Sequence, residues 1–232
     1  MSRFQSLREE CCAANASLPA TGLVDLTFGN VSVLDPEAGV FAIKPSGISY
    51  EELTPAEIVI VDLEGKIIQS GLRPSSDTPT HRRLFLAFPE IRSVVHTHSR
   101  YAVSFAQAGR EIPLLGTTHA DYFHGNIPVT RALTDAEIQG DYEWETGNII
   151  VERFAAVNAS EIPAVLVRNH GPFAWGPSGA KAVENARALE IVAQMAHQAL
   201  AIAPSAPPPS RGLIDKHFFR KHGPTAYYGQ PG

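Results

Sequence analysis

The feature that most constrains this chain is a succession of short Val- and Ile-rich runs set between turn residues and amphipathic segments. Gly29 to Val33, Val40 to Ile43, Ile58 to Leu63 and Lys66 to Ile68 are such runs, with Glu64-Gly65 between the last two. They read as strands, partly joined as hairpins. Before them, Phe4, Leu7, Cys11, Ala14 and Leu18 recur at helical spacing and predict a helix lying on the core. From Thr78 the pattern predicts a helix to about Phe88, a strand over Ser93 to Thr97 and a helix over Ser99 to Ala108. A polar stretch then runs to Gly147, followed by predicted strands at Ile149 to Glu152, Ala164 to Val167 and Phe173 to Trp175, and a helix from Ser178 to Leu200. A sheet covered by helices follows, with hairpins denying a purely parallel arrangement.

The size of the chain, 232 residues with 44% hydrophobic content, suits one compact domain over residues 1–232 with a buried core. The start has no apolar core of signal-peptide type, and no stretch approaches the roughly 18 apolar residues of a membrane span. The cysteines are the neighbours Cys11 and Cys12, which excludes a disulfide framework and favours the cytoplasm. A formal charge of -5 without a Lys/Arg run gives no footprint for nucleic acid. Proline at 204, 207, 208 and 209 makes Ala203 to Ser210 a stiff spacer that delivers a separate C-terminal segment.

The nine histidines are where chemistry is to be sought. In VVHTHSR, His96 and His98 stand two apart on an expected strand, so both side chains project from one face. A third, His170, closes the apolar run AVLVRNHG, where Gly171 and Pro172 are expected to break the strand. Three imidazoles leave one position open on Zn²⁺, the layout of a catalytic site; Mn²⁺ or Co²⁺ would also accept these ligands. Asp77 in SSDTPTH is the candidate fourth ligand or base, or else the cap of the helix starting near Thr78. Three small-residue pairs, Gly29-Asn30, Ser46-Gly47 and Ser75-Ser76, can offer backbone N–H and hydroxyl donors to a phosphate, and Lys44 can add a cation. Each pair taken alone is an ordinary turn dipeptide.

The motifs VVHTHSR, SSDTPTH, LTFGNVS, IKPSGISY, GTTHADYFHG, DYEWETGN, NHGPFAWG and KHFFRKHGPTAYYGQ together resemble the L-ribulose-5-phosphate 4-epimerase branch of the class II aldolase and adducin-like superfamily, over nearly the whole chain. The resemblance implies a three-layer α/β/α sandwich with a largely antiparallel central sheet. It also implies a homotetramer with active sites at subunit borders, where segment 211–232 completes a site. One zinc ion per subunit would be held by His96, His98 and His170, with Asp77 at the family's fourth metal-contacting position. Asp121 and Tyr228 would exchange protons on opposite faces of a ketopentose phosphate, with His217 and Lys216 helping to shape the site. The chain carries Arg168-Asn169 before the third histidine, where relatives are richer in histidine.

The implied reaction inverts C4 of L-ribulose 5-phosphate, a carbon not adjacent to the carbonyl, so simple deprotonation is excluded. Retro-aldol cleavage of C3–C4 through an enediolate and glycolaldehyde phosphate avoids the problem. The alternatives are a class II sugar-phosphate aldolase that releases its fragments, and a non-catalytic adducin-like interaction module, which would have no need of three histidines. Arabinose use and breakdown of ascorbate or another pentose are open as the pathway.

Overall fold

The computed structural model describes residues 3–69, 71–224 and 226–228. Helix α1 (Gln5–Thr21) precedes four strands, β1 (Asn30–Asp35), β2 (Val40–Ile43), β3 (Val59–Asp62) and β4 (Ile67–Gln69). Helix α2 (Thr78–Ala87), strand β5 (Ser93–His96) and helix α3 (Arg100–Ala108) follow. The long polar stretch holds α4 (Thr117–Ala120), α5 (Asp135–Gln139) and α6 (Tyr142–Arg153). The chain continues through β6 (Ala164–Leu166), β7 (Pro172–Gly176), α7 (Gly179–Ile202) and α8 (Arg211–Phe219). The strands form one seven-stranded sheet in the order β4-β3-β2-β1-β5-β7-β6, and each adjacent pair runs antiparallel.

The period-2 alternation of side chains divides the core into two sides of this sheet. On one side Phe41, Ile43, Val94, Phe173 and Trp175 pack against Leu84 and Phe85 of α2 and Ile149 and Ile150 of α6. On the other, Val31, Val95 and Ala174 meet Leu18 of α1, Phe105 of α3 and Leu189 of α7. Both faces of the strands are therefore covered, which is why they read as nearly continuous apolar runs. This is the expected three-layer α/β/α sandwich with an antiparallel sheet.

One expected element differs. Ile149 to Glu152 is the last part of helix α6, not a strand. Four residues of apolar character do not distinguish a strand from a helical face. The acids Glu143 and Glu145 in the first turn of α6 complement its N-terminus, and Thr146, Gly147 and Ile150 share its buried side with Ile149. No helix among the described residues is long and apolar enough to cross a membrane.

Candidate active site

Three imidazoles converge at one end of the sheet. His96 is the last residue of β5; His98 lies beyond it, in the connection to α3, rather than on the strand as expected. His170 sits in the tight β6–β7 turn, where Asn169 takes φ 62° and the His170 N–H donates to Val167 O at 3.0 Å. Gly171 lies in the break between β6 and β7, and Pro172 is the first residue of β7. Pairing of His96 with Phe173 across β5 and β7 brings the turn beside the strand end. The ring centroids lie 4.9 Å (His96–His98), 4.8 Å (His96–His170) and 5.1 Å (His98–His170) apart.

The donor atoms suit a metal ion. His96 Nδ1 lies 3.0 Å from Pro172 O; a carbonyl only accepts, so Nδ1 carries the proton and Nε2 keeps its lone pair. His98 Nε2 is 3.1 Å from His96 Nε2, close to the roughly 3.3 Å between nitrogens bound tetrahedrally at about 2.0–2.1 Å. Tyr142 Oη stands 3.5 Å from His170 Nδ1, and one ligand atom from each ring lies within 4.8 Å of the others. Burial, reinforced by repulsion from His96 and His98, pushes the His170 imidazole down to about 4; burial lowers His98 as well. Both are neutral at physiological pH, as ligands must be.

Asp77 faces the same space. It occupies the cap position of α2 but makes no side-chain capping hydrogen bond; its Oδ2 accepts from Asn30 Nδ2 at 2.6 Å. Burial would raise its carboxyl, but the His96 and His81 fields and the Asn30 hydrogen bond hold it below the usual value. It therefore stands as a carboxylate in the same cavity as the three imidazoles, though outside the converging trio of ligand atoms.

A cavity of about 410 Å³ gathers Gly29, Asn30, Lys44, Ser46, Gly47, Ser75, Ser76 and Asp77 with the three histidines. Gly29 has φ 83°, and a Cβ there would come within 2.8 Å of His96 O, so only glycine fits. The expectation of backbone donors needs correction at two positions: Ser46 N–H donates to Arg73 O at 3.0 Å, and Ser75 N–H to Lys44 O at 2.9 Å. These amides tie the two loops together, leaving the hydroxyls and Lys44 as the polar groups at those positions. Lys44 Nζ is oriented by Ile48 O and lies 5.0 Å from the Tyr50 ring centroid; burial lowers its pKa.

Sequence reasoning misses several lining residues. Tyr142 and Glu143 face the cavity from the start of α6. The motif DYEWETGN holds both, but a polar stretch of this composition gives no sign of where its helix begins. Phe28 also lines the cavity and stacks on His98 with centroids 5.6 Å apart. His81 carries no sequence signal that sets it apart; it is buried, its Nδ1 is 2.7 Å from Ser32 Oγ, and burial pushes it down to about 3.

Asp121, His217 and Tyr228 do not line this cavity. They form a second cluster around Asp121, the residue just after α4. Its Oδ1 lies 3.0 Å from His217 Nδ1, and Arg220 binds both carboxylate oxygens at 3.1 and 2.8 Å. Burial opposes ionisation, but the Arg220 and His217 hydrogen bonds and the Lys221 charge outweigh it and keep Asp121 below the usual carboxylate range. The Tyr228 ring lies 5.0 Å from the Arg220 guanidinium and 4.5 Å from Lys221 Nζ, and its N–H donates to Arg220 O at 3.0 Å. The last residues of the expected C-terminal segment, 229–232, and Thr225 lie outside the described residues.

Residues 9–197, which carry the histidine trio and the glycine- and serine-containing loops, match the family described as Class II Aldolase and Adducin N-terminal domain. The chain belongs to this family. Among its members, the chain is 51% identical to the L-ribulose-5-phosphate 4-epimerase UlaF of Salmonella paratyphi C (strain RKS4594), over 98% of this chain and 100% of the relative. A solved L-fuculose 1-phosphate aldolase shares the fold with a TM-score of 0.78 at 22% identity, covering 93% of this chain and 95% of that one. The L-fuculose-1-phosphate aldolase from Thermus thermophilus superposes with a TM-score of 0.68 at 26% identity, over 89% and 100% of the two chains. These likenesses extend well beyond the site.

Proposed function

We propose that this chain is a metal-dependent L-ribulose-5-phosphate 4-epimerase that forms D-xylulose 5-phosphate by retro-aldol cleavage and re-addition. The observation that carries this reading is one cavity in which three imidazoles meet phosphate-type loops, in a chain 51% identical to a curated epimerase.

His96, His98 and His170 would hold the ion, for which Zn²⁺ is the proposal and Mn²⁺ or Co²⁺ are substitutes. Bound there, a divalent ion supplies a Lewis acid for charge developing on oxygen. Gly29-Asn30, Ser46-Gly47, Ser75-Ser76 and Lys44 hold the phosphate. The C4 hydroxyl gives up its proton to Asp121 or Tyr228 as the C3–C4 electron pair passes into the enediolate, leaving glycolaldehyde phosphate. The phosphate contacts keep the aldehyde in place while it turns; re-formation of C3–C4 on the other face takes a proton from the second group. Asp77 serves the ion or moves a proton beside it.

Asp121 and Tyr228 belong to a cluster apart from the cavity lining, which supports sites completed at the border between subunits, as in a homotetramer, with segment 211–232 contributing to a site. Cytoplasmic action on a pentose phosphate, in arabinose use or a related catabolic route, fits the same reading. Incubating metal-loaded protein with L-ribulose 5-phosphate tests it: D-xylulose 5-phosphate without solvent deuterium at C4 is expected. Accumulation of free dihydroxyacetone would point to an aldolase, and deuterium at C4 would exclude carbon–carbon cleavage.

A further inference from the structure

One histidine outside the histidine-lined cavity packs against the C-terminal helix α8. His124, three residues after Asp121, has a side chain only 5% exposed. Its Nδ1 lies 2.7 Å from Glu161 Oε2 and its Nε2 2.7 Å from Asp215 Oδ1. Its backbone N–H also donates to Glu161 O at 3.0 Å. The ring stacks on Phe218 with centroids 4.4 Å apart and an 11° tilt, while Phe219 meets it edge-on at 5.0 Å.

Phe218 also stacks on His222 at 4.4 Å and 19°. Two rings cannot both lie that close on one face, so Phe218 is held between the imidazoles. His222 Nε2 in turn lies 3.0 Å from Asp121 O. Arg211 pairs with the same Asp215 oxygen at 2.8 Å, and its Nη2 comes within 3.0 Å of His124 Nε2. The His124 ring thus touches α8 through two polar partners, Arg211 and Asp215, and two aromatic ones, Phe218 and Phe219. The groups that reach Asp121, namely His217 and Arg220, flank Phe218 on that helix and just past its end. Any rotation or slide of α8 about the ring moves them together.

We propose that His124 is the positioning residue for the C-terminal part of the site, holding α8 so that His217, Arg220 and Tyr228 stay in register with Asp121. The inference rests on the roles of Asp121 and Tyr228 proposed above. It commits the ring to a task the metal cavity does not share: fixing a distant segment that arrives over a proline spacer.

Two single variants and their combination test it in the full-length, metal-loaded protein. His124→Phe keeps a ring to stack on Phe218 but removes the contacts to Glu161, Asp215 and Arg211, and Asp215→Asn alters the carboxylate that the ring and Arg211 share on α8. Trypsin cleavage after Lys216, Arg220 and Lys221 reports the order of the segment, while kcat, KM and metal content report the site. Because misplacing a catalytic group by about 1 Å costs on the order of 10²-fold, kcat should fall roughly 10- to 100-fold in each variant, with KM, metal content and melting temperature close to the parent. Cleavage should accelerate about tenfold or more, and the double variant should be no worse than the poorer single, because residues in one network are non-additive. A merely structural role would lower metal content and melting temperature together with kcat.

Parent-like protection of the segment in both variants would overturn the proposal, as would parent-like kcat alongside fast cleavage. If His124→Phe does not fold, Asp215→Asn, at a side chain 37% exposed, decides by itself. If the parent does not turn over L-ribulose 5-phosphate, the functional reading fails alone and the cleavage rates decide the positioning.

Discussion

Gly171→Ala offers a sharp test of how the histidine trio is assembled. A Cβ at Gly171 would lie 2.8 Å from Thr97 O and 3.4 Å from both His96 Cε1 and His98 Cδ2. The Thr97 carbonyl is backbone and cannot rotate away, so the β6–β7 turn must recede by roughly 0.6 Å to restore ordinary contact. Such overpacking costs about 1–3 kcal/mol, and at about 2–4 °C per kcal/mol for a chain of this size the melting temperature should fall by a few degrees or more. The larger effect is on the ion. His170 immediately precedes Gly171 and moves with the turn, whereas ligand distances must hold to about 0.2 Å. Metal affinity should therefore drop by at least the roughly 10- to 100-fold seen when supporting contacts of ligands are lost. Competition of apo-protein with a chromophoric chelator for Zn²⁺ measures this, with thermal melts of apo- and metal-loaded protein as the control. A variant that binds Zn²⁺ as tightly as the parent would refute the idea that His170 reaches the ion through this turn.

Three other outcomes follow from the same geometry. Tyr228→Phe should slow epimerisation by about 10²–10⁴-fold while metal content stays at the parent level; full turnover would remove the tyrosine from the mechanism. Lys44→Met should raise KM by an order of magnitude or so, the scale of a charge-assisted hydrogen bond, without altering metal content; unchanged KM would show that the hydroxyl groups suffice. His119 has its Nε2 2.9 Å from Gly125 O, and burial pushes it down to about 4 from an unfolded value of 6.5. The folded state then binds fewer protons between those values, so stability is complete above pH 6.5 and is lost as the pH falls towards 4. Linkage puts this loss at about 2 kcal/mol by pH 5; urea unfolding of parent and His119→Gln should show a smaller drop between pH 7 and 5 in the variant, and equal drops would contradict the assignment.

Much of the fold was legible because β1, β2, β3, β5 and β7 are largely buried on both faces, and that burial writes their positions as nearly continuous apolar runs. Hairpin turns such as Glu64-Gly65 denied a purely parallel sheet, while the largely antiparallel order was implied by the family resemblance. Helix α6 was not legible, since its Ile149-Ile150 pair has the composition of a strand and its helical character depends on packing against α2. At the site, residue type alone nominated the three histidines, Asp77 and the glycine- and serine-containing loops. Their standing as one cavity is another matter. His98 lies off the strand, and its ring meets His96 through the turn after β5. The backbone N–H groups of Ser46 and Ser75 are spent on holding loops together, which no dipeptide pattern reveals.

The amino-acid order by itself determined the buried strands, the identity of the metal-ligand candidates and the small residues offered to a phosphate. Only the tertiary structure decided that His170 returns beside His96, that Asp121 is gripped by a helix nearly a hundred residues further on, and that His124 packs on the same helix. The physical reason is range. Burial and turn chemistry act between neighbours in sequence and leave a local trace, whereas a ring brought to an ion or a helix docked on a loop depends on pairings across the whole sheet, whose energy no short segment carries.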